Sequence, residues 1–334
     1  MHWQLSCEGL GLLATGGALD HVTRNDRVLV RTTYNALPLS RELLALHQFA
    51  WACETGRPPF HIAPTSLRAD LPPRPDNFCA QDIDSDAYQE YEALNVLQRS
   101  VVDKVVLQHA PVTILHGPPG TGKSRTLVAL LHVYLAAAAA AGKQKKVLVV
   151  GPSNESVGNL FEKYTEAAQR TSSRRYVVVY VAKSRYADVE DGSAMHQSCV
   201  HVLAGWRAVA QSKTSTKAPR KEMKNRQKEH EAREKKVLQE ATVVLCTYNQ
   251  AAALKEIDLQ FNLIVLDEAS QVAETLALVP LMCCADGSQA ILAGDHKQIS
   301  PHTKVERNEP AHAVRSRSMM QRLCEEKDQM GDAT

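Results

Sequence analysis

The stretch Gly117-Pro118-Pro119-Gly120-Thr121-Gly122-Lys123-Ser124 constrains this chain more than any other, because it fits the pattern G-x-x-x-x-G-K-[ST] at every fixed position. Its flanks agree with it. Upstream, Val112 to Leu115 is a short apolar, β-branched run that predicts a buried strand. Downstream, Thr126 to Ala141 is rich in Leu and Ala and closes at Gly142, which predicts a helix. A glycine loop between a strand and a helix N-terminus turns backbone N–H groups toward one concavity suited to phosphate. Lys123 adds a positive charge for the β- and γ-phosphates, and Ser124 offers a hydroxyl to Mg²⁺. The expectation is a nucleotide-phosphate site made by residues 117–124 with Arg125.

Further apolar runs occur at Lys146–Val150, Tyr176–Val181, Thr242–Cys246, Leu263–Leu266 and Ala290–Ala293. Continuous apolar runs separated by helices predict an α/β fold, with a mostly parallel sheet covered on both faces. Such sheets bind ligands at the C-terminal ends of their strands. Asp267 and Glu268 directly follow the run at 263–266, so two adjacent carboxylates fall at that edge. Asp267 is assigned to the metal and Glu268 to the attacking water. Gly294-Asp295-His296-Lys297-Gln298 follows the last run, and Gln298 is placed to meet the γ-phosphate or the water.

The 334 residues suffice for one large or two ordinary domains, and the net charge of +2 confines any nucleic-acid surface to a local patch. Between Lys213 and Lys236 there are ten basic and four acidic residues, a local charge of +6 with few apolar positions. That stretch reads either as a solvated helix or partly disordered insertion, or as a surface for a nucleic-acid backbone. The eight cysteines include no C-x-x-C pair and read as reduced intracellular thiols. No signal peptide or membrane span is expected: Glu8 interrupts the first apolar stretch, and Leu127–Ala141 is too short and too alanine-rich. Near the N-terminus, Arg27–Arg31 predicts a strand, and Leu37–Trp51 an amphipathic helix capped by Ser40. Six prolines then cluster between Pro58 and Pro75.

In these motifs the chain resembles the superfamily 1B helicases of the Upf-like group, typified by the nonsense-mediated-decay enzyme, over residues 85 to 325. Gln98 in Leu94-Asn95-x-x-Gln98 resembles the adenine-reading glutamine, and residues 117–124 resemble motif I. Val149 to Asn154 is similar to motif Ia, which implies that Ser153 and Asn154 lie along the nucleic-acid backbone. Val244 to Tyr248 is similar to the next strand-end contact, with Thr247 the hydroxyl donor. Asp267 to Gln271 resembles motif II, and Gly294-Asp295-x-x-Gln298 resembles motif III, which implies a coupling role for Asp295 and Gln298. Arg317 to Leu323 resembles the helix that follows.

The resemblance implies a RecA-like P-loop NTPase domain that couples Mg-ATP hydrolysis to movement along single-stranded RNA or DNA. It implies these divisions: 1–50 a β-barrel and stalk remnant, 51–86 a linker, 87–182 the first RecA-like part, 183–240 a basic helical insertion, 241–325 the second part, and 326–334 a tail. Motif III departs from the pattern at Ile299-Ser300-Pro301, where Leu-Pro-Pro is usual. The second RecA-like lobe, with its arginine fingers, is not among these residues. The expectation is therefore a fragment or truncated gene model of a helicase, or a lone lobe served in trans, with weak activity alone. Two other readings stand beside this one. An AAA+-like ATPase shares Gly-Pro-Pro-Gly-Thr-Gly-Lys but keeps its two acidic and basic motifs closer together. A catalytically idle nucleic-acid-binding module fits less well with intact Lys123, Ser124, Asp267, Glu268 and Gln298.

Overall fold

In the computed structural model the apolar runs align side by side in one sheet. The structure describes residues 3–5, 12–14, 37–54, 83–170, 176–182, 193–205, 220–303, 307–308 and 310–331. The chain forms two units, Met1–Pro38 and Leu39–Thr334. In the first, β1 (Trp3–Leu5) and β2 (Leu12–Ala14) pair antiparallel. The strand expected at 27–31 and the proline cluster lie outside the described residues, so the structure does not describe a β-barrel remnant.

The remaining elements run in chain order as α1 (Leu37–Glu54), α2 (Ser85–Glu92), α3 (Val96–Val106), β3 (Val112–His116), α4 (Lys123–Ala140), β4 (Val147–Gly151), α5 (Asn154–Arg170) and β5 (Val177–Tyr180). They continue as α6 (Ala194–Gln197), α7 (Val200–Leu203), α8 (Arg220–Glu240), β6 (Val243–Thr247), α9 (Ala251–Glu256) and β7 (Phe261–Leu266). A 3₁₀ turn (Ala269–Gln271), α10 (Glu274–Leu281), β8 (Cys284–Gly294), α11 (Pro310–Arg315) and α12 (Met319–Gly331) complete the order. The six strands lie in the order β3-β8-β7-β4-β6-β5, every pair parallel. The sheet is thus wholly parallel, where a mostly parallel one was expected. β8 is longer than its apolar run because its first residues are partly exposed and carry no continuous hydrophobic signal.

Successive residues of a strand point to opposite faces, and the sheet accordingly has two cores. Leu263 and Val265 join one with Leu127, Leu131 and Phe161 of α4 and α5. Ile264 and Leu266 join the other with Leu278, Met320 and Leu323 of α10 and α12. These four β7 side chains are fully buried, which explains their unbroken apolar run. Because all strands are parallel, their C-terminal ends lie along one edge.

Two local expectations change. Helix α1 begins at Leu37, with Pro38 in its first turn where a missing N–H costs nothing, so Ser40 lies inside the helix rather than capping it. Its Glu42 is buried, accepts a hydrogen bond from Thr275 Oγ1 at 2.6 Å and pairs with Arg315 at 3.2 Å. Helix α8 takes up most of the basic stretch; Lys213 and Lys217 lie outside the described residues. It is not solvated all round, since His230, Glu234 and Leu238 are buried along one face. No helix among the described residues is long and apolar enough to cross a membrane.

Candidate nucleotide site

Strand β3 delivers the glycine loop to the ligand edge of the sheet. Gly117 N donates to Gly294 O at 3.2 Å, extending the β3–β8 ladder one step. The loop then turns on itself, with Thr121 Oγ1 donating to Pro118 O at 2.7 Å. Gly122 sits at φ 85° as the residue before α4, a conformation that a side chain opposes. A Cβ there would also come within 2.8 Å of Gln98 Nε2. Lys123 opens α4, and its Nζ donates to Gly117 O at 2.8 Å and Pro118 O at 3.3 Å.

Helix α3 braces this loop from outside. Asn95 and Gln98 cap its N-terminus reciprocally, and Gln98 Nε2 donates to Thr121 O at 3.2 Å. Arg125 donates to Ala93 O at 3.1 Å, tying the first turn of α4 to the end of α2. A cleft of about 940 Å³ opens here, lined by Pro119, Gly120, Gly122, Lys123, Ser124, Arg125 and Glu268. Its walls also carry four charged side chains, Asp86 and Glu90 of α2 and Lys163 and Glu166 of α5. The sequence reading missed those four: nothing in a single helix says which of its charged residues faces a distant loop.

The two carboxylates take different positions. Asp267 is buried; its N–H donates to Val150 O at 2.9 Å, and its carbonyl accepts from Tyr248 Oη at 3.0 Å. Burial, and secondarily the charge of Glu268, pushes its carboxyl up to about 6, while Lys123 and Lys163 ease its ionisation. The loop lysine and the strand-end aspartate therefore share one electrostatic neighbourhood. Glu268 reaches the cleft through a left-handed backbone, φ 49°, which costs a non-glycine residue on the order of 1 kcal/mol or more. Gln271 Nε2 steadies its carboxylate at 3.1 Å. A hydroxyl, two carboxylates and a lysine are the oxygen donors and the counter-charge that a hard dication bound to a polyphosphate requires, so the residues present fit Mg²⁺ with a nucleoside triphosphate.

Asp295 acts as a hub below the loop. Its carboxylate accepts from Lys297 N at 3.0 Å, His116 Nε2 at 3.1 Å and Gln298 Nε2 at 2.6 Å. The Lys297 N–H, then His116 and Gln298, hold its carboxyl down to about 2. Gln298 thus spends its amide on Asp295 and does not line the cleft. Gln98, Gly117, Pro118, Thr121 and Asp267 do not line the cleft either; of these, Gly117 and Asp267 are buried, whereas Pro118 and Thr121 are exposed.

Ser153, Asn154 and Thr247 form a separate group further along the same edge. Gly151 and Thr247 are register partners on β4 and β6, and Tyr248 N donates to Gly151 O at 3.2 Å. Ser153 and Ser156 exchange side-chain-to-backbone hydrogen bonds of 3.1 and 3.2 Å, which fixes the start of α5. Thr247 Oγ1 accepts from Gln250 N at 3.3 Å.

A family model described as "AAA domain" matches residues 93–205 and 205–306. The "Regulator of nonsense transcripts 1 homolog" of Arabidopsis thaliana is 31% identical over 69% of this chain and 18% of its own length. The "ATP-dependent helicase upf1" of Schizosaccharomyces pombe is 30% identical over 90% of this chain and 32% of its own. The "DNA-binding protein SMUBP-2" of Mesocricetus auratus is 30% identical over 70% and 24%. The chain thus spans a third or less of the length of these relatives.

Proposed function

This chain belongs to the AAA-domain family, as a distant relative of the Upf1 and SMUBP-2 helicases, and from that membership we propose that it is the ATP-hydrolysing motor lobe of an RNA or DNA helicase. What supports the reading is one observation: Lys123, Ser124 and Glu268 line a single cleft, and Lys123 acts on Asp267 behind it. Chain segments that are far apart in sequence meet where a metal-bound triphosphate needs them.

The loop amides and Lys123 bind the phosphates, with Gly117 to Gly122 shaping the cradle, while Gln98 reads the adenine edge. Ser124 and Asp267 would hold Mg²⁺, which would supply neutralisation of phosphate charge when bound. Glu268 orients the attacking water and takes its proton. Asp295 positions Gln298, which reports the state of the γ-phosphate to the strand contacts at Ser153, Asn154 and Thr247. These contacts touch the backbone of a single strand, RNA or DNA. A second RecA-like lobe, in cis or in trans, supplies the arginine finger, a contribution on the order of 10³–10⁵ in rate.

The test is nucleotide binding and turnover by the purified chain, with and without single-stranded RNA or DNA, for wild type and Lys123→Ala. Weak Mg-ATP binding and slow turnover are expected of the wild type, with binding reduced at least tenfold in the variant. Equal binding by the two proteins would remove the nucleotide site from the proposal. Fast, strand-stimulated turnover by this chain alone would remove the need for a second lobe.

A further inference from the structure

We propose that His201, His230 and Glu234 form a site for one divalent transition-metal ion of the zinc class, fastening the basic helix α8 to the outer strand of the sheet. The site lies apart from the nucleotide cleft and shares none of its residues. His230 and Glu234 are one helical turn apart on α8 and so project from one face, while His201 comes from α7. All three are buried, at 3%, 5% and 1% exposure. Their nitrogen and carboxylate oxygen atoms lie within 4.8 Å of one another.

The hydrogen bond on the far side of His201 decides what converges there. His201 Nε2 lies 2.6 Å from the carbonyl oxygen of Val181, just after β5. A carbonyl oxygen only accepts, so the proton of the neutral ring sits on Nε2. Nδ1 then presents its lone pair to Glu234 Oε1, with which it is in contact. The same oxygen lies 3.2 Å from His230 Nδ1. Electron-rich atoms brought together in a buried place require a positive species between them, a proton or a metal ion. Two imidazole nitrogens and one carboxylate oxygen form a zinc-type donor set, too rich in nitrogen for Ca²⁺ or Mg²⁺ and without the thiolates of a soft-metal site. The His201–Val181 bond is the outer support that a metal-bound histidine ordinarily has, fixing tautomer and ring orientation. Three protein ligands leave a fourth position for water.

The experiment uses the untagged 334-residue chain stripped by a chelator, then titrated with Zn²⁺ against a chromogenic competitor and, separately, with Co²⁺. One equivalent of metal per chain is expected, with cobalt d–d bands and no thiolate-to-cobalt charge-transfer band. Glu234→Gln and His230→Ala should lower zinc affinity more than tenfold and remove the cobalt bands. His116→Ala, in the cluster with Asp295 and His296, should leave them unchanged. Glu234→Gln conserves volume and decides the matter alone if His230→Ala does not fold. Absence of stoichiometric metal, a thiolate band, or equal affinity in Glu234→Gln would overturn the site and leave only a proton shared between His201 and Glu234.

Discussion

The hydroxyl of Tyr248 donates to the backbone carbonyl of Asp267 at 3.0 Å, wholly inside the protein. Tyr248 follows Thr247, assigned to the nucleic-acid strand, and Asp267 is assigned to the metal. One buried hydrogen bond therefore joins the two halves of the proposed motor. Tyr248→Phe leaves that carbonyl without this donor, at a cost of about 1–3 kcal/mol. The expected outcome is a several-fold loss of strand-stimulated ATP turnover, measured with the second lobe supplied, while nucleotide affinity changes little.

Asp267 is held ionised at neutral pH against the cost of burial. Its folded carboxyl, at about 6, lies above the ordinary 3.8, so its ionisation reduces stability as pH rises through that window and fully above it. The penalty is on the order of 3 kcal/mol. Asp267→Asn is expected to raise the Tm of the nucleotide-free protein at pH 7.5, with a smaller gain at pH 4. The same variant should lose Mg²⁺-dependent nucleotide binding. Calorimetry at the two pH values and a nucleotide titration check both halves of the prediction.

The opposite sign applies to Asp295. Its carboxyl is held down to about 2, so the stability it contributes is present above the ordinary 3.8 and disappears as pH falls through about 2. Asp295→Asn should lower Tm at pH 7, and the difference from wild type should shrink as the pH is lowered toward 2. The variant also frees the Gln298 amide from its charged partner. ATP turnover should then fall more than ATP affinity, a split read from kcat and KM.

Gly122→Ala tests the loop directly. Its φ of 85° costs an L-residue about 1–2 kcal/mol, and the new methyl group meets Gln98 Nε2. Nucleotide affinity should drop by tenfold or more.

The parallel sheet and its ligand edge were legible in the sequence because buried strands announce themselves as unbroken apolar runs, each ended by a short polar motif. Thus Leu263–Leu266 located Asp267 and Glu268 at once. The cleft walls were not legible, since Lys163 and Glu90 lie on helices whose facing is set by packing against α4. Helix α8 shows the limit most clearly. His230 and Glu234 stand one turn apart in the sequence, but a face buried through polar residues has no apolar period, so the stretch reads as solvated. Its partner His201 lies 33 positions from Glu234, in a segment with little pattern of its own.

The place of β3 at the edge of the sheet bears on how the protein is made. Among the described strands it pairs with β8 alone, and the His116–Asp295 contact that closes this pairing spans 179 positions. A nascent chain leaving the ribosome has its phosphate loop, and the α3 helix that packs on β3, well before the β8 strand that pairs with β3. Pairing over such a span carries a higher entropic cost than local contacts, so the β3–β8 ladder under the cradle is expected to form after the contacts among α2, α3 and α4.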